Sequence, residues 1–350
     1  MASEKKTSKN AAYDRLRAAL KAQTTARAYL FYGEESYLRQ TYVQQLQTLL
    51  IPKGSEDFNL HRLSGPRLTA QEVADAVEAM PMMAANTLVT VTDWDIFKLE
   101  EAQRSQLIDL LEDIPEYCTL LFIYDTVAYK RDGKMKKLAA AIDKNVEVVE
   151  FQGQSRDALV RWLQKRFRAL DHQIDLTTAD YMLFYCGTMM DNLISEVSKV
   201  AAYAKAQQIT TADIDAVAEP VLDARIFDMT NHISAGKYDR AAAVLGDLLR
   251  MQTEPIVILG AIGKELRRLY TARMAIDSGK DKYWLMELWE MRSDYPAKLL
   301  LQSAKRVSAQ WCGDAVKMCQ VADLRMKSQR GVDPAEELKL LLARLGAARK

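Results

Sequence analysis

The sequence predicts an α/β domain followed by two all-helical ones. Three features say so: apolar strand candidates alternate with helical stretches as far as about Phe151, strand signals stop there, and amphipathic periodicity then runs to the end of the chain. At 350 residues the chain is longer than one typical core, which fits a division into two or three domains.

Met1 to Asn10 is polar and expected to fray, so the fold is expected to begin at about residue 11. Strands are predicted at Ala28 to Tyr32, Thr87 to Thr92, Thr119 to Tyr124 and Val146 to Phe151. Short apolar runs spaced by helices imply a parallel sheet covered on both faces. A helix is predicted over Ala70 to Met80. Thr69 and Glu72 form a capping box at its start, Val73, Val77 and Met80 recur at helical spacing, and Pro81 disfavours the α conformation in the residue before it. Gln152 to Ser155 reads as a linker. Helices are then predicted over Asp157 to Ala169, from Thr178, over Asp191 to Ala206, and after Thr211. Thr177-Thr-Ala-Asp180 and Thr210-Thr-Ala-Asp213 read as one threonine cap used twice. A second break falls near Glu219-Pro220. Beyond it, amphipathic segments at Arg240 to Met251, Ile256 to Ile276 and Ala297 to Lys327 predict an all-helical third domain. The expected domains are therefore 11–152, 153–219 and 220–350.

Tyr29-Leu-Phe-Tyr-Gly-Glu-Glu-Ser-Tyr-Leu-Arg39 turns a strand through one glycine into a helix, where a nucleotide-binding fold places its phosphate loop. The loop's own chemistry is missing. A working loop needs two glycines in the frame G-x-x-x-x-G-K-[ST], so that backbone amides cradle phosphate, and a lysine to neutralise it. Gly33 is followed instead by Glu34 and Glu35, whose carboxylates would satisfy the positive helix end and repel a triphosphate.

Composition excludes other classes. Forty-eight basic against forty-seven acidic residues leave a net charge of +1, so no global field draws the chain to nucleic acid or an anionic membrane. Cys118, Cys186, Cys312 and Cys319 form no C-x-x-C pair, and no signal peptide opens the chain, so a reducing cytoplasm is expected. No run approaches the roughly 18 apolar residues of a membrane span.

Several phrases, in order, resemble the delta subunit family of the bacterial DNA polymerase III clamp loader. Tyr29 to Leu38 is similar to its opening strand and acidic turn, and Met80-Pro-Met-Met-Ala84 with Asn86 to Val91 to its clamp-contacting turn and next strand. Tyr129-Lys-Arg to Lys137, followed by Val148 to Phe151, resembles its basic segment and last strand. Gly187, Asp191, Leu193, Glu196 and Lys199 resemble its lid phrase, and Ala322-Asp-Leu with Lys327, Asp333 and Pro334 its closing helices. The resemblance implies an AAA+-type (RecA-like) first domain without a functional phosphate loop, a small helical lid, and a helical collar that packs into a five-membered ring. It implies a non-catalytic subunit that binds the sliding clamp (beta subunit) and opens it for loading onto primed DNA. Its other implied partners are the gamma/tau motor subunits and delta-prime; no cofactor, metal or membrane is implied. The chain lacks the Walker A lysine and the Ser-Arg-Cys triplet of the motor subunits, as expected of delta. Relatives often carry Leu-Phe where this chain has Met82-Met83, which keeps apolar bulk and loses an aromatic anchor.

The expected clamp contact is therefore Met80, Pro81, Met82 and Met83, although the residues alone fit either core or contact. His61, His172 and His232 have no ligand-like spacing. Glu34 and Glu35, adjacent on a helix, point different ways and lack a nucleophile, so an acid–base pair is not expected. Lys130, Arg131, Lys134, Lys136 and Lys137 read as a solvated face. Lys264, Arg267 and Arg268 share one helical side near Tyr270 and are candidates for contact with DNA or a ring neighbour. The alternatives are a degenerate AAA+ ATPase, which would bind ATP alone, and a nucleic-acid-binding regulator, which would bind DNA alone in a salt-sensitive way.

Overall fold

The structure is a computed structural model describing residues 2–291 and 293–348, with side chains from residue 11 onward. Two compact units divide the chain, residues 1–153 and 154–350.

The first unit runs α1 (Ala2–Ala22), β1 (Ala28–Tyr32), α2 (Ser36–Leu50), α3 (Glu56–Asn59), β2 (Leu60–Ser64), α4 (Ala70–Glu78), β3 (Thr87–Thr92), α5 (Glu101–Glu112), β4 (Cys118–Ile123), α6 (Lys136–Asn145) and β5 (Glu147–Glu150). All strand pairs are parallel, in the order β2-β3-β4-β1-β5, with Leu30 opposite Phe122 and Val148. Alternate side chains serve opposite faces. Leu30, Val89, Val91, Leu120 and Phe122 pack with Val73, Val77, Leu107 and Ile142 from α4 to α6. Tyr29, Phe31, Leu88 and Leu121 pack with Leu16, Tyr42 and Leu46 from α1 and α2. A sheet so covered is buried on both sides, which is why β1, β3 and β4 read as runs of apolar residues and threonine without charged positions. Each aliphatic side chain buried in these layers contributes about 1.5–3 kcal/mol.

Three elements differ from expectation. The start predicted to fray is taken up from Ala2 by the backbone of α1, while Met1 and the first ten side chains lie outside the described residues. Tyr13 on α1 meets Phe151 edge-on at 6.0 Å, and Arg15 pairs with Glu147 at 3.0 Å, so this helix belongs to the unit. β2 was not predicted. It is an edge strand pairing only with β3, and His61 and Arg62 interrupt the apolar run that identifies an interior strand. Helix α4 has the expected capping box but stops at Glu78, with Ala79 already extended, so Met80 lies outside it.

The second unit runs α7 (Arg156–Arg168), α8 (Leu176–Cys186), α9 (Met190–Tyr203), α10 (Thr211–Val217), α11 (Leu222–Ser234), α12 (Tyr238–Arg250), α13 (Pro255–Asp277), α14 (Lys282–Leu288), α15 (Asp294–Ala304), α16 (Ala309–Ser328) and α17 (Pro334–Ala347). Only one of the two threonine caps forms. Thr210 and Asp213 make a capping box on α10, but α8 is capped by Asp175, which accepts from the Thr178 N–H. Asp180 is instead buried and accepts from Arg156 Nε at 2.7 Å. The amphipathic segment over Ala297 to Lys327 falls on two helices, α15 and α16, with the Ser308 hydroxyl capping α16. The expected break at Glu219-Pro220 lies inside this unit. There the Val221 N–H donates to Tyr185 O at 2.8 Å, and the Phe184 ring meets Phe227 edge-on at 5.2 Å.

Lid and collar phrases have identifiable structural roles. Gly187 terminates α8 with φ +82°, and buried Glu196 accepts from the Glu219 N–H at 3.0 Å while pairing with Lys199 at 2.7 Å. Asp333 caps α17 with Pro334 at its first turn. Among the described residues no helix is long and apolar enough to cross a membrane.

Candidate functional site

The β1–α2 turn, where a phosphate loop would lie, is closed on the chain itself. The Phe151 N–H donates to Tyr32 O at 2.7 Å, and Phe151 O in turn accepts from the Glu35 N–H at 3.0 Å. An amide that would face phosphate is thereby engaged. Gly33 permits this approach: its φ is +121°, and a Cβ there would lie 2.4 Å from Phe151 O. Arg39, buried, donates from Nη1 to Gly33 O at 2.6 Å and pairs through Nη2 with Asp125. A guanidinium so placed satisfies the turn's carbonyl and a carboxylate at once. The two glutamates also differ from expectation. Glu35 takes the N-cap position of α2 fully buried and without a side-chain cap, and Glu34 Oε1 accepts from the Gly153 N–H at 3.0 Å.

Beside this turn, at the end of β3, Asp93 adopts φ +54° and accepts from the Asp125, Thr126 and Val127 N–H groups and the Thr126 hydroxyl. Burial alone would raise its carboxyl; these hydrogen bonds outweigh that and hold it below the ordinary carboxylate range. In a working site an acidic residue near the strand ends holds magnesium. Here the carboxylate ties down the chain after β4.

The methionine turn has the opposite character. Met80, Met82 and Met83 are 78%, 54% and 91% exposed, which decides between core and surface, and Pro81 is half-buried. Ala79 is already extended at the end of α4, and Pro81 disfavours the α conformation at Met80, so the segment leaves the helix instead of continuing it. The turn leads into β3 and so lies at the N-terminal end of the parallel strands, away from the β1–α2 turn at their C-terminal end. Met83 has φ +56°, a left-handed conformation uncommon for a side chain of this size. Asn59, fully buried, holds Met82 by both backbone groups: its Nδ2 donates to Met82 O at 2.8 Å, and its Oδ1 accepts from the Met82 N–H at 2.8 Å. Sequence reasoning missed Asn59; the asparagine closing a short turn before β2 was its only signal. Phe58 beside it in the chain is 51% exposed.

Family comparison joins the two units. The family model described as DNA polymerase III, delta subunit matches residues 29–152, and that described as DNA polymerase III delta subunit, C-terminal domain matches residues 223–345. The chain belongs to the DNA polymerase III delta subunit family. Among relatives, DNA polymerase III subunit delta of Bacillus subtilis (strain 168) is 22% identical over 307 residues, covering 86% of this chain and 87% of that protein. The probable DNA polymerase III subunit delta of Aquifex aeolicus (strain VF5) is 21% identical over 277 residues, covering 77% of each. In fold the chain is similar to the Bacillus subtilis DNA clamp loader delta protein (YqeN), with a TM-score of 0.53 at 20% identity, covering 96% of this chain and 99% of that one. In this chain the parallel sheet from Tyr29 onward, the β1–α2 turn and the methionine turn all fall within residues 29–152.

The remaining candidates separate in space. On α13, Lys264 pairs with Asp223 at 2.8 Å, and Arg268 lies over the Trp289 ring at 5.6 Å and pairs with Glu265 at 3.5 Å. Burial pushes the Glu265 carboxyl up, against the pull of Arg268. Arg267 is exposed, so the three cations do not present one open basic face. Lys130, Arg131, Lys134, Lys136 and Lys137 are exposed, and Arg131 pairs with Asp143. His172 meets Ala206 O at 3.1 Å and His232 meets Asp228 at 3.4 Å, while His61 lies in β2. All four cysteines are free and buried, and burial pushes each thiol up, Cys186 and Cys319 to about 12. Among the described residues no group of three His, Cys, Asp or Glu side chains is placed to hold a metal.

Proposed function

We propose that this chain binds a DNA polymerase sliding clamp through Met82 and Met83 and opens its ring for loading onto primed DNA. It does so in a complex with the gamma/tau motor subunits and delta-prime, and it turns over no ATP itself. The observation that carries this is an exposed apolar pair on a turn fixed by Asn59. Covering each methionine contributes about 1.5–3 kcal/mol, enough to make the pair a hot spot. A wedge that fits the opened clamp better than the closed one shifts the clamp toward opening by that difference in affinity. Membership of the delta subunit family and the likeness to a clamp loader delta protein support the reading.

The absence of ATP turnover is supported by the β1–α2 turn, where Phe151 O, Arg39 and Asp125 take up the groups a nucleotide would need. Clamp contact belongs to residues 11–152, a lid to 153–219, and ring assembly to a collar over 220–350. Arg267 is the member of the α13 trio best placed for DNA or a neighbouring subunit, since Lys264 and Arg268 are ion-paired. The test is binding of the full chain to purified sliding clamp. Met82→Ser with Met83→Ser should weaken it at least tenfold without loss of helical circular dichroism or of assembly with the motor subunits. Undiminished affinity would refute the contact.

A further inference from the structure

Resting on that docking reading, we infer that Asn59 is a positioning residue for the clamp contact: it holds the Met82–Met83 turn in its docking shape before the clamp arrives. Asn59 ends α3 with its side chain wholly buried. Its Nδ2 donates both to Met82 O at 2.8 Å and to Ser55 O at 3.0 Å, and its Oδ1 accepts from the Met82 N–H at 2.8 Å. Both backbone groups of Met82 are thus bonded to one side chain, as a neighbouring strand would bond them. Asn59 immediately precedes β2 and Met82 lies five residues before β3, so the side chain ties the turn that leads into β3 to the start of the neighbouring strand.

The turn needs such a hold. Met83 at φ +56° is in a region that side chains avoid without an outside constraint. Met82 and Met83 project into water, and Met80 does too, so apolar packing does not anchor their side chains. The fixing comes through the backbone of Met82 and leaves the side chains free to dock. A turn already ordered loses less freedom on binding than a loose one. Only asparagine meets the geometry at this depth. Aspartate lacks the two donated bonds and buries a charge, and alanine leaves the Met82 amide unanswered.

The test is a double-mutant cycle on the full chain, reading affinity for purified sliding clamp and the thermal midpoint together. Asn59→Ala should weaken clamp binding about fivefold to thirtyfold in the native background and less than twofold once Met82→Ser and Met83→Ser are present. Its effect on the thermal midpoint should be equal in both backgrounds. Asn59→Ser, which keeps a neutral donor and acceptor on a shorter arm, should fall between, and it serves where Asn59→Ala does not fold. A lowered midpoint with unchanged clamp affinity would overturn the positioning role, as would an affinity loss of equal size in both backgrounds. Those results would leave the docking reading standing, provided the methionine pair itself matters. A methionine double variant with native affinity would overturn the docking reading and the role of Asn59 with it.

Discussion

The two ends of the parallel sheet have opposite characters. At the C-terminal end, the β1–α2 turn is closed by a carbonyl from the end of the sheet, a buried arginine and an aspartate that ties down the chain after β4. At the N-terminal end, the turn before β3 is fixed through its backbone and leaves its methionines in water. Both turns are held by hydrogen bonds, but one directs its polar groups inward and the other directs apolar groups outward. The C-terminal end of the sheet is thus taken up by internal hydrogen bonds, and the opposite end carries exposed apolar side chains.

The closed end should break most severely at Gly33. Gly33→Ala places a methyl group against Phe151 O in a backbone conformation alanine avoids, so about 3 kcal/mol of stability should be lost. That is a fall of roughly 6–12 °C in thermal midpoint for a unit of this size, measurable by calorimetry.

Much of this architecture is legible in the sequence where one physical signal dominates. β1 and β3 are read to the residue because strands buried on both faces carry apolar and β-branched side chains with no charged position among them. β2 escapes because His61 and Arg62, on opposite faces of an edge strand, break the apolar run. The cap of α8 was misplaced because Thr177-Thr-Ala-Asp180 has the pattern of the real box at Thr210, while Asp175, two residues earlier, provides the acceptor. The methionine turn is visible in the sequence as residues after a helix stop, but its exposure is not, since methionine suits core and contact alike. Asn59 was invisible for a different reason: its bonds to Met82 cross 23 positions of chain.

A smaller effect is expected at Asp93. Its folded carboxyl titrates below the ordinary range, so as pH falls the unfolded chain takes up a proton first. Its stabilisation is therefore full above about pH 4, the ordinary aspartate range, and is lost as pH falls through the lower folded value. Asp93→Asn should cost about 1–2 kcal/mol at pH 7, with the gap to the native chain closing as pH falls below about 4, in urea denaturation at a series of pH values.

The smallest expected effect is none. Titrating ATP with magnesium into the isolated chain should give no heat of binding, because the turn's groups are already engaged. Micromolar binding would erase the contrast between the two ends.

The measurement that tests the central claim most directly uses the burial of the four native cysteines, whose thiols are all shielded and raised. Met83→Cys would place a fifth thiol at the most exposed point of the turn, where an alkylating reagent reaches it selectively. Saturating sliding clamp should slow alkylation of that thiol at least tenfold, as expected if the clamp covers Met83. Clamp bound at saturation with the alkylation rate unchanged would contradict the account, and the docking surface would lie elsewhere.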